Sequence, residues 1–371
     1  MAKKHHPNKS SSKSSNSQQS KAKPQPEDAV IATQDTTTTT VSPEDLKDQQ
    51  RLLNLFSDAF ADVLASNEFY PLLQEIKQAL FNRDFDAAFG REDYLQTYAA
   101  RWSPTRALCY ASVLESIGGY VDDMSAPGGD DDAEPKDEGD DEEETEADES
   151  TRTATQDNDQ ISTPNPGKKI KMLSIGGCAA EHVAFASHLH ATNASGSLTL
   201  LDSAPWYASA AVRAANTSLL DEARIAVTFS QTDILTLDGD TLAQAVGTEP
   251  LLVTLLFTLN ELYTNGGIGK TTNFLKSLGE ALPHGSLLLV VDSPGSYSEA
   301  AVGKEKKKYP MQWLLDHTLL ETKAADRGYK WDKLESQESI WFRLPEGLSY
   351  PIQLENMRYQ MHLYRIEKNT S

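Results

Sequence analysis

The sequence contains little cysteine and no long apolar run. Its two cysteines, Cys109 and Cys178, lie far apart in the 371-residue chain and support neither a disulfide framework nor a zinc site. The longest apolar run, Leu251–Leu259, is about half the length of the roughly 20 residues that cross a bilayer. The N-terminus lacks the apolar segment of a secretory signal peptide. We therefore expect a reducing nuclear or cytoplasmic compartment, no membrane span and no metal site.

The charge of the chain is concentrated in two segments. There are 55 acidic and 34 basic residues, which gives a formal net charge of −21. Asp122–Glu149 holds sixteen of the acidic residues and one lysine, whereas Met1–Pro26 holds six lysines and no acidic residue. The rest of the chain has the charge of an ordinary acidic protein. The net charge therefore does not exclude a nucleic-acid partner.

Composition divides the chain into four parts. Residues 1–42 are rich in Ser, Lys and Thr and predict a disordered basic tail. Residues 43–121 carry apolar residues at helical spacing and predict a small all-helical module. Residues 122–167 predict a disordered acidic linker that keeps the module and the following domain apart; the alternative is a docking patch for basic proteins or a nucleic-acid mimic. Residues 168–371 form the last part.

In this last part, short apolar runs alternate with helical patterns, which predicts a parallel sheet covered by helices. Two further runs, Ser339–Leu344 and Met361–Ile366, are joined by Pro345–Met357 without a helix and predict an antiparallel hairpin. The fold class is therefore α/β, with a seven-stranded sheet that ends in an antiparallel hairpin and follows the helical module. The first five strands are predicted at Ile170–Ile175, Ser197–Leu201, Ile225–Phe229, Leu251–Phe257 and Ser286–Val291, with helices starting near Ala179, Ala204, Gly239 and Thr271.

The residues that follow the first two strands are candidates for a ligand site, because such sheets bind ligands outside the carboxyl ends of their strands. Gly176 and Gly177 come first and allow the backbone to approach a nucleoside closely, and Glu181 lies in the next helix. Asp202 and Ser203 follow the second strand, where a carboxylate can accept hydrogen bonds from ribose hydroxyls. The alternatives are a simple tight turn for the glycines and a helix cap for the aspartate.

The ends of the third and fourth strands complete this candidate site. Asp233 and Ile234 form a polar–apolar pair that suits an adenine amino group and ring face. Phe257 ends the fourth predicted strand and is assigned to the same site. Together these residues predict that the sheet binds a nucleoside cofactor.

A glycine-rich segment offers a second reading, a P-loop ATPase. Asn265–Thr272 reads NGGIGKTT and follows a hydrophobic strand. However, Thr264 stands where the P-loop motif requires its first glycine, and Asn260–Thr264 separates the strand from the loop. The alternative is a glycine-rich connection with Thr271 as a helix cap.

Six longer segments carry a family resemblance: SIGGCAAEHVAFA at 174–186, LLDSAPW at 200–206, FTLNELYT at 257–264, GSLLLVVDSPGSYSE at 285–299, YPMQWLLDHTLL at 309–320 and YPIQLENMRYQMHLYRIE at 350–367. Together they resemble the fungal 25S ribosomal RNA (uridine-N(3)) methyltransferases. The resemblance implies a Rossmann-like methyltransferase domain over residues 168–371 with S-adenosylmethionine as cofactor. It also implies large-subunit ribosomal RNA or a pre-ribosome as partner and a nuclear or nucleolar location, with the cytoplasm as an alternative. We expect a monomer.

The chain departs from this family in its glycine loop. Cys178 and Ala180 stand where the family's GGGAG-type loop has glycines. This departure leaves a third reading open, namely a methyltransferase fold that binds RNA or assembling ribosomes without catalytic activity.

The implied reaction suggests which residues act on the base. Uridine N3–H is a weak acid on the Watson–Crick edge, so the base must be unpaired and its proton removed. We predict Asn260 as a partner of a uracil carbonyl, Glu261 as the base and Asp292 as a second candidate base. Tyr263 or Phe257 would stack on uracil. The alternative is that Asn260 and Glu261 cap a helix.

A cluster of lysines is the candidate contact for the RNA backbone. It lies after Asp292, in a predicted loop at the ligand-binding edge of the sheet, and is expected to bind phosphates. Aromatic and basic residues of the terminal hairpin, including Trp341, are expected to add stacking, although hairpin aromatics can also belong to the core. The predicted RNA contacts are Tyr263, Lys304, Lys306, Lys307, Lys308, Tyr309, Arg358 and Tyr359.

Overall fold

The computed structural model describes residues 42–125, 168–177, 179–206, 224–302, 305–321 and 328–369. The predicted tail, most of the predicted acidic linker, the helix predicted after Ala204, Cys178 and Lys304 lie outside these residues. In the part that the structure describes, no helix is long and apolar enough to span a membrane. No group of three or more His, Cys, Asp or Glu side chains within those ranges is arranged to hold a metal ion.

Six helices form the N-terminal part, which we call the helical module. Ser42 caps the first helix by accepting a 3.0 Å hydrogen bond from the Asp45 amide, and Pro43 occupies the first helical position. Leu53 and Phe56 of this helix are fully buried. The helices are α1 (Pro43–Ala59), α2 (Ala61–Ala65), α3 (Phe69–Phe81), α4 (Phe85–Phe89), α5 (Glu92–Ser116) and α6 (Gly118–Ser125).

A seven-stranded sheet follows the helical module. Its first five strands are β1 (Lys169–Ile175), β2 (Ser195–Asp202), β3 (Ile225–Gln231), β4 (Leu252–Leu256) and β5 (Leu287–Asp292). Its last two are β8 (Tyr329–Phe342) and β9 (Met357–Lys368), because β6 and β7 form a separate hairpin. The order is β3-β2-β1-β4-β5-β9-β8, in which β1 to β5 are parallel and β9 is antiparallel to both of its neighbours. The predicted fold class is therefore confirmed, although β8 begins ten residues before the predicted Ser339.

The separate hairpin corrects one prediction. It consists of β6 (Tyr297–Val302) and β7 (Glu305–Pro310), which pair antiparallel after the end of β5. The predicted lysine-bearing loop is therefore wrong in its secondary structure, because the backbone of Lys306–Lys308 lies in a strand.

Helices cover both faces of the sheet. They are α7 (Ala179–Ala191), α8 (Gly239–Val246), α9 (Leu259–Asn265), α10 (Gly267–Ala281) and α11 (Met311–Leu320). Neighbouring residues of β1 point into opposite cores: Met172 packs with the helical module, and Leu173 packs with α10 and α11. Helix α5 packs along α7, so Leu108 and Val183 share one core. The expectation that the acidic segment keeps the module and the sheet apart is therefore wrong.

The connection between β8 and β9 holds the long helix α5. Pro104 lies inside this helix and has no N–H to donate to the carbonyl of Ala100, four residues earlier. The Tyr350 hydroxyl donates a 2.9 Å hydrogen bond to that carbonyl instead. The buried Arg101 also forms an ion pair of 2.7 Å with Glu355 of the same connection.

The connection contacts the first helix as well. The Gln50 side chain donates to the Ser349 carbonyl at 2.9 Å and accepts from the Ser349 amide at 2.8 Å. Helices α1 and α5 are thus both fastened to the far edge of the sheet.

Candidate active site

The turn after β1 requires its two glycines. Gly176 has a φ of +77°, and a Cβ atom there would lie 2.2 Å from Thr258 Oγ1. A Cβ atom on Gly177 would lie 2.7 Å from Ser174 Oγ. The Gly176 amide donates to the Leu201 carbonyl at 2.8 Å, which holds the turn against the end of β2. The turn is therefore packed tightly between the ends of β2 and β4.

Carboxylates lie beside this turn. Asp202 ends β2 and accepts a 2.7 Å hydrogen bond from the Ala204 amide. Burial raises the pKa of Asp202 to about 7 against the effect of this bond, and the charge of Glu181 adds to the increase. Glu181 itself is only 3% exposed in the first turn of α7. Carboxylates crowded in this way favour a cationic ligand, because such a ligand stabilises their ionised forms.

The segment after β4 begins with a strained residue. Phe257 has a φ of +60°, which is unusual for a residue with a side chain, and its amide donates to the Val291 carbonyl at 2.7 Å. Helix α9 follows, with Thr258 at the N-cap and no side-chain cap. Asn260 and Glu261 lie in its first turn, so the alternative that these two residues cap the helix is wrong.

The pKa of the Glu261 carboxylate is strongly raised. Burial raises the pKa of Glu261 to about 8; the charge of Asp202 adds to the increase, and Arg106 opposes it. The Asp292 carboxylate, at the end of β5, accepts hydrogen bonds from the Asn260 and Ser293 amides at 3.1 and 2.7 Å. Burial raises the pKa of Asp292 to about 6 despite these bonds.

A cleft with two lobes opens at this edge of the sheet. One lobe, of about 320 Å³, is lined by Asp233, Ile234, Lys270 and other residues of the strand ends, and we call it the sheet lobe. The second, of about 280 Å³, is covered by the helical module, and we call it the roof lobe. Both lobes are lined by Asp86, Gly176, Asp202, Ser203, Glu261 and Asn265. Glu261 therefore lies where the two lobes meet.

The predicted cofactor residues gather in this cleft. The walls of one or both lobes contain Gly176, Glu181, Asp202, Ser203, Asp233, Ile234 and Phe257, while Gly177 lies in the adjoining turn. Asp233 uses its carboxylate to accept a hydrogen bond from the Leu235 amide at 2.9 Å. Residues from four different strand ends are thus brought together, as the order of strands predicts.

Other predicted residues lie elsewhere. Asp292 is 2% exposed and lines neither lobe. It fixes the start of α9 by accepting the hydrogen bond from the Asn260 amide. Tyr263 is 2% exposed in the core beneath α9, so we no longer assign it a stacking role. Tyr359 is buried in the core shared with the helical module, and the RNA contact predicted for it is also dropped. The role predicted for Asn260 stays a prediction, because its side chain lines neither lobe.

Two predicted RNA residues are stacked on partly exposed tryptophans. The Tyr309 and Trp313 rings stack with centroids 5.4 Å apart. The Arg358 guanidinium lies 5.7 Å from the Trp341 ring centre, and the Trp341 side chain is 52% exposed. Aromatic and basic groups therefore lie at the surface of the terminal hairpin and α11.

The glycine-rich segment does not form a P-loop. Residues 259–265 form α9, and Gly267 opens α10, so this segment joins two helices and does not leave a strand. Gly266 is needed for packing, since a Cβ atom there would lie 2.2 Å from Leu235 Cδ1. The predicted cap at Thr271 is wrong, because Thr271 is buried inside α10 and donates to the Leu262 carbonyl at 2.9 Å.

The roof of the cleft is formed by residues that were not predicted from the sequence. Five side chains of the helical module and one aromatic after β2 line it: Phe85, Asp86, Phe89, Tyr98, Arg106 and Trp206. A signal was present, since α5 is buried on most of its surface and yet contains Arg101 and Arg106. Arginine in such a helix requires a partner or a function.

Comparisons with known proteins agree with this arrangement. The chain matches a sequence family described as "Putative SAM-dependent methyltransferase" over residues 56–208 and 207–365. It is 30% identical over 336 residues to the 25S rRNA (uridine(2843)-N(3))-methyltransferase of Saccharomyces cerevisiae, covering 85% of each chain.

Two solved structures are also similar to the chain. An S-adenosylmethionine-dependent methyltransferase from Clostridium acetobutylicum is 10% identical, with 53% of this chain and 83% of that chain covered and a TM-score of 0.29. The pyocyanin biosynthetic protein PhzM is 12% identical, with 85% and 72% covered and a TM-score of 0.38.

Proposed function

The chain belongs to this family of S-adenosylmethionine-dependent methyltransferases, and we propose that it methylates N3 of a uridine in large-subunit ribosomal RNA. The yeast relative supports the choice of substrate, because its name describes this reaction. The observation that carries the proposal is the position of Glu261, a carboxylate of raised pKa where the sheet lobe meets the roof lobe. A group at this junction can reach a cofactor on one side and a base on the other.

The sheet lobe fits the cofactor in shape and charge. Asp202 can accept hydrogen bonds from ribose hydroxyls, and Asp233 with Ile234 can hold an adenine ring. S-adenosylmethionine supplies an electrophilic methyl group on a positively charged sulfur. The half-buried carboxylates of Asp202 and Glu261 beside Gly176 would stabilise that charge when they are ionised.

Glu261 is the general base in this proposal. Its ordinary pKa would make it a weak acceptor, whereas a pKa of about 8 brings it close to the acidity of the uridine imide. Asp292 acts at one remove: by binding the Asn260 amide it holds the first turn of α9, and with it Glu261. We therefore rank Glu261 ahead of Asp292 as the proton acceptor.

The proposal places RNA across the edge of the sheet near β7 and β9. The backbone of Lys306–Lys308 lies in β7, just past the end of β5. Gln360 of β9 pairs with Asp292, so Arg358 lies beyond the carboxyl end of β5. We propose that Lys304, Lys306–Lys308, Tyr309 and Arg358 contact the RNA. We further propose a pre-ribosome as the partner, because it would carry this substrate, and the nucleus or nucleolus as the location. We propose a monomer as the active form.

The test uses the full-length protein and large-subunit RNA from a deletion strain. Calorimetry should detect binding of S-adenosylmethionine and not of ATP. Methyl transfer should yield 3-methyluridine after digestion of the RNA to nucleosides. Glu261→Gln should slow this reaction by about 100-fold at saturating S-adenosylmethionine, and Asp292→Asn should have a smaller effect.

Each failure of this test has a separate meaning. Binding of ATP alone would restore the ATPase reading, and binding of neither ligand would indicate an inactive fold. Unchanged rates for both Glu261→Gln and Asp292→Asn would show that neither carboxylate is the base.

A further inference from the structure

The roof lobe is lined by aromatic rings from two parts of the chain. The ring centre of Phe89 in α4 lies 5.0 Å from that of Tyr98 in α5 and 6.0 Å from that of Trp206, which follows β2. Phe85 stacks on Phe89 at 6.5 Å, and Phe257 lines the opposite wall. Unpaired RNA bases are commonly bound by stacking on such rings. The roof lobe therefore has the composition of a pocket for a flipped base.

One basic side chain enters this lobe. The Arg106 guanidinium lies 4.7 Å from the Phe257 ring centre and 5.2 Å from that of Tyr98, whose hydroxyl accepts a hydrogen bond from it. Among the described side chains that line the roof lobe, Arg106 is the single basic one. The strained backbone of Phe257 places a ring from the sheet edge under a cation from the helical module.

Arg106 also acts on the carboxylates of the site. Its charge lowers the pKa values of Glu261 and Asp292 against the effect of burial. Arg106 and Glu261 both line the roof lobe, so a base held there would meet a donor and a proton acceptor together. Such a pair suits an imide, in which a carbonyl lies directly beside the acidic nitrogen.

We propose that the roof lobe binds the target uracil and that Arg106 donates a hydrogen bond to a carbonyl beside N3. This inference rests on the proposed function. The N3–H bond breaks, and Glu261 accepts the proton. The electron pair left on N3 is shared with the flanking carbonyl oxygens, where the guanidinium stabilises the negative charge. N3 then bonds to the methyl carbon as the carbon–sulfur bond breaks and the sulfur keeps that electron pair.

The experiment compares Arg106→Met, Arg106→Lys and a matched control, Arg91→Met, in the full-length protein. Arg91 lies on the surface of the helical module, is paired with Asp93 and lines neither lobe. The rate of 3-methyluridine formation is measured from pH 6 to pH 9, with S-adenosylmethionine affinity measured by calorimetry. Arg106→Met should slow the reaction by about 100-fold at pH 9, and by more at pH 6 because Glu261 then ionises less readily, and should leave cofactor affinity within about threefold at pH 9. Arg106→Lys should recover about tenfold, and Arg91→Met should behave like wild type.

Several outcomes would overturn the assignment. A rate of Arg106→Met that returns to wild type at pH 9 would mean that Arg106 acts only by keeping Glu261 ionised. A loss of cofactor affinity of tenfold or more would place the guanidinium on the cofactor carboxylate. Formation of 3-methyluridine at the wild-type rate by Arg106→Met would overturn this inference and leave the proposed function intact. Methylation of another nucleoside by the wild type would overturn both.

Discussion

The two lobes of the cleft are built in different ways. The sheet lobe is formed mainly by the ends of β1 to β4 and the residues that follow them, so the register of the sheet fixes most of its residues. The roof lobe depends on side chains of α4 and α5, which reach the site only because the helical module packs on α7. One half of the site thus follows from the topology of the sheet, and the other from tertiary packing. Changes in the two lobes should therefore affect cofactor and RNA separately.

The largest effect should come from the sheet lobe, with Gly176→Ala. The added Cβ atom would meet Thr258 Oγ1 at 2.2 Å on a backbone with positive φ, so the turn must move. We expect S-adenosylmethionine affinity, measured by calorimetry, to fall by about 100-fold. Gly269→Ala in α10 is the matched control, because its Cβ atom would have no neighbour within 4 Å. Equal affinities for the two variants would contradict the packing of the turn.

A smaller effect, confined to RNA, should come from Phe89→Ala in the roof lobe. Loss of a ring that packs on Tyr98 and Trp206 should lower kcat/KM for RNA by about tenfold. Calorimetry should show unchanged binding of S-adenosylmethionine. Phe81→Ala, at a position 83% exposed on the same module, serves as the control. A loss of cofactor binding in Phe89→Ala would break the division between the lobes.

The pH dependence of binding should sharpen the electrostatic role of the sheet lobe. Asp202 and Glu261 have pKa values of about 7 and 8, so both hold protons at pH 6 and release them by pH 8.5. A cationic ligand favours the ionised carboxylates, and its affinity should rise by about tenfold over this range. S-adenosylhomocysteine, whose sulfur is neutral, should show a weaker rise in the same titrations. Identical slopes would mean that the carboxylates do not face the sulfonium.

The smallest effect should be on stability, through Glu261, which belongs to both lobes. Its folded pKa of about 8 lies above the ordinary value of about 4.3, so between these pH values the folded state holds a proton that the unfolded state has lost. Stability therefore falls as pH rises through this window. Glu261→Gln should melt a few degrees higher than wild type at pH 8 without ligand. The difference should vanish near pH 4, and a lower melting temperature at pH 8 would contradict the burial of this charge.

Much of the sheet lobe could be predicted from the sequence. Apolar runs marked the strands; Gly176 and Asp202 follow their runs directly and Asp233 follows its run after a short turn, so topology brings them together. Tyr263 could not be placed in this way, because its position on α9 decides whether it faces the cleft or the core. Lys306–Lys308 were expected in a loop after Asp292, yet pairing with β6 makes their backbone a strand.

The roof could not be predicted for a different reason. Phe89 and Arg106 lie in a module whose apolar pattern shows that it buries a face, but not what that face packs against. Contact between α5 and α7 is a property of the folded chain. Residues that reach a site through such packing leave only an indirect trace, here an arginine in an otherwise buried helix.

The fastening of α5 by Tyr350 has a consequence for the order of synthesis. The bond from Tyr350 to the Ala100 carbonyl joins residues 250 positions apart, and the one between Gln50 and Ser349 joins residues 299 apart. The helical module therefore leaves the ribosome long before the residues that anchor it. The carbonyl freed by Pro104 waits for its donor until Tyr350 has been made. The anchoring of α5, which carries Tyr98 and Arg106 of the roof lobe, is thus completed only after every residue that lines the sheet lobe has been synthesised.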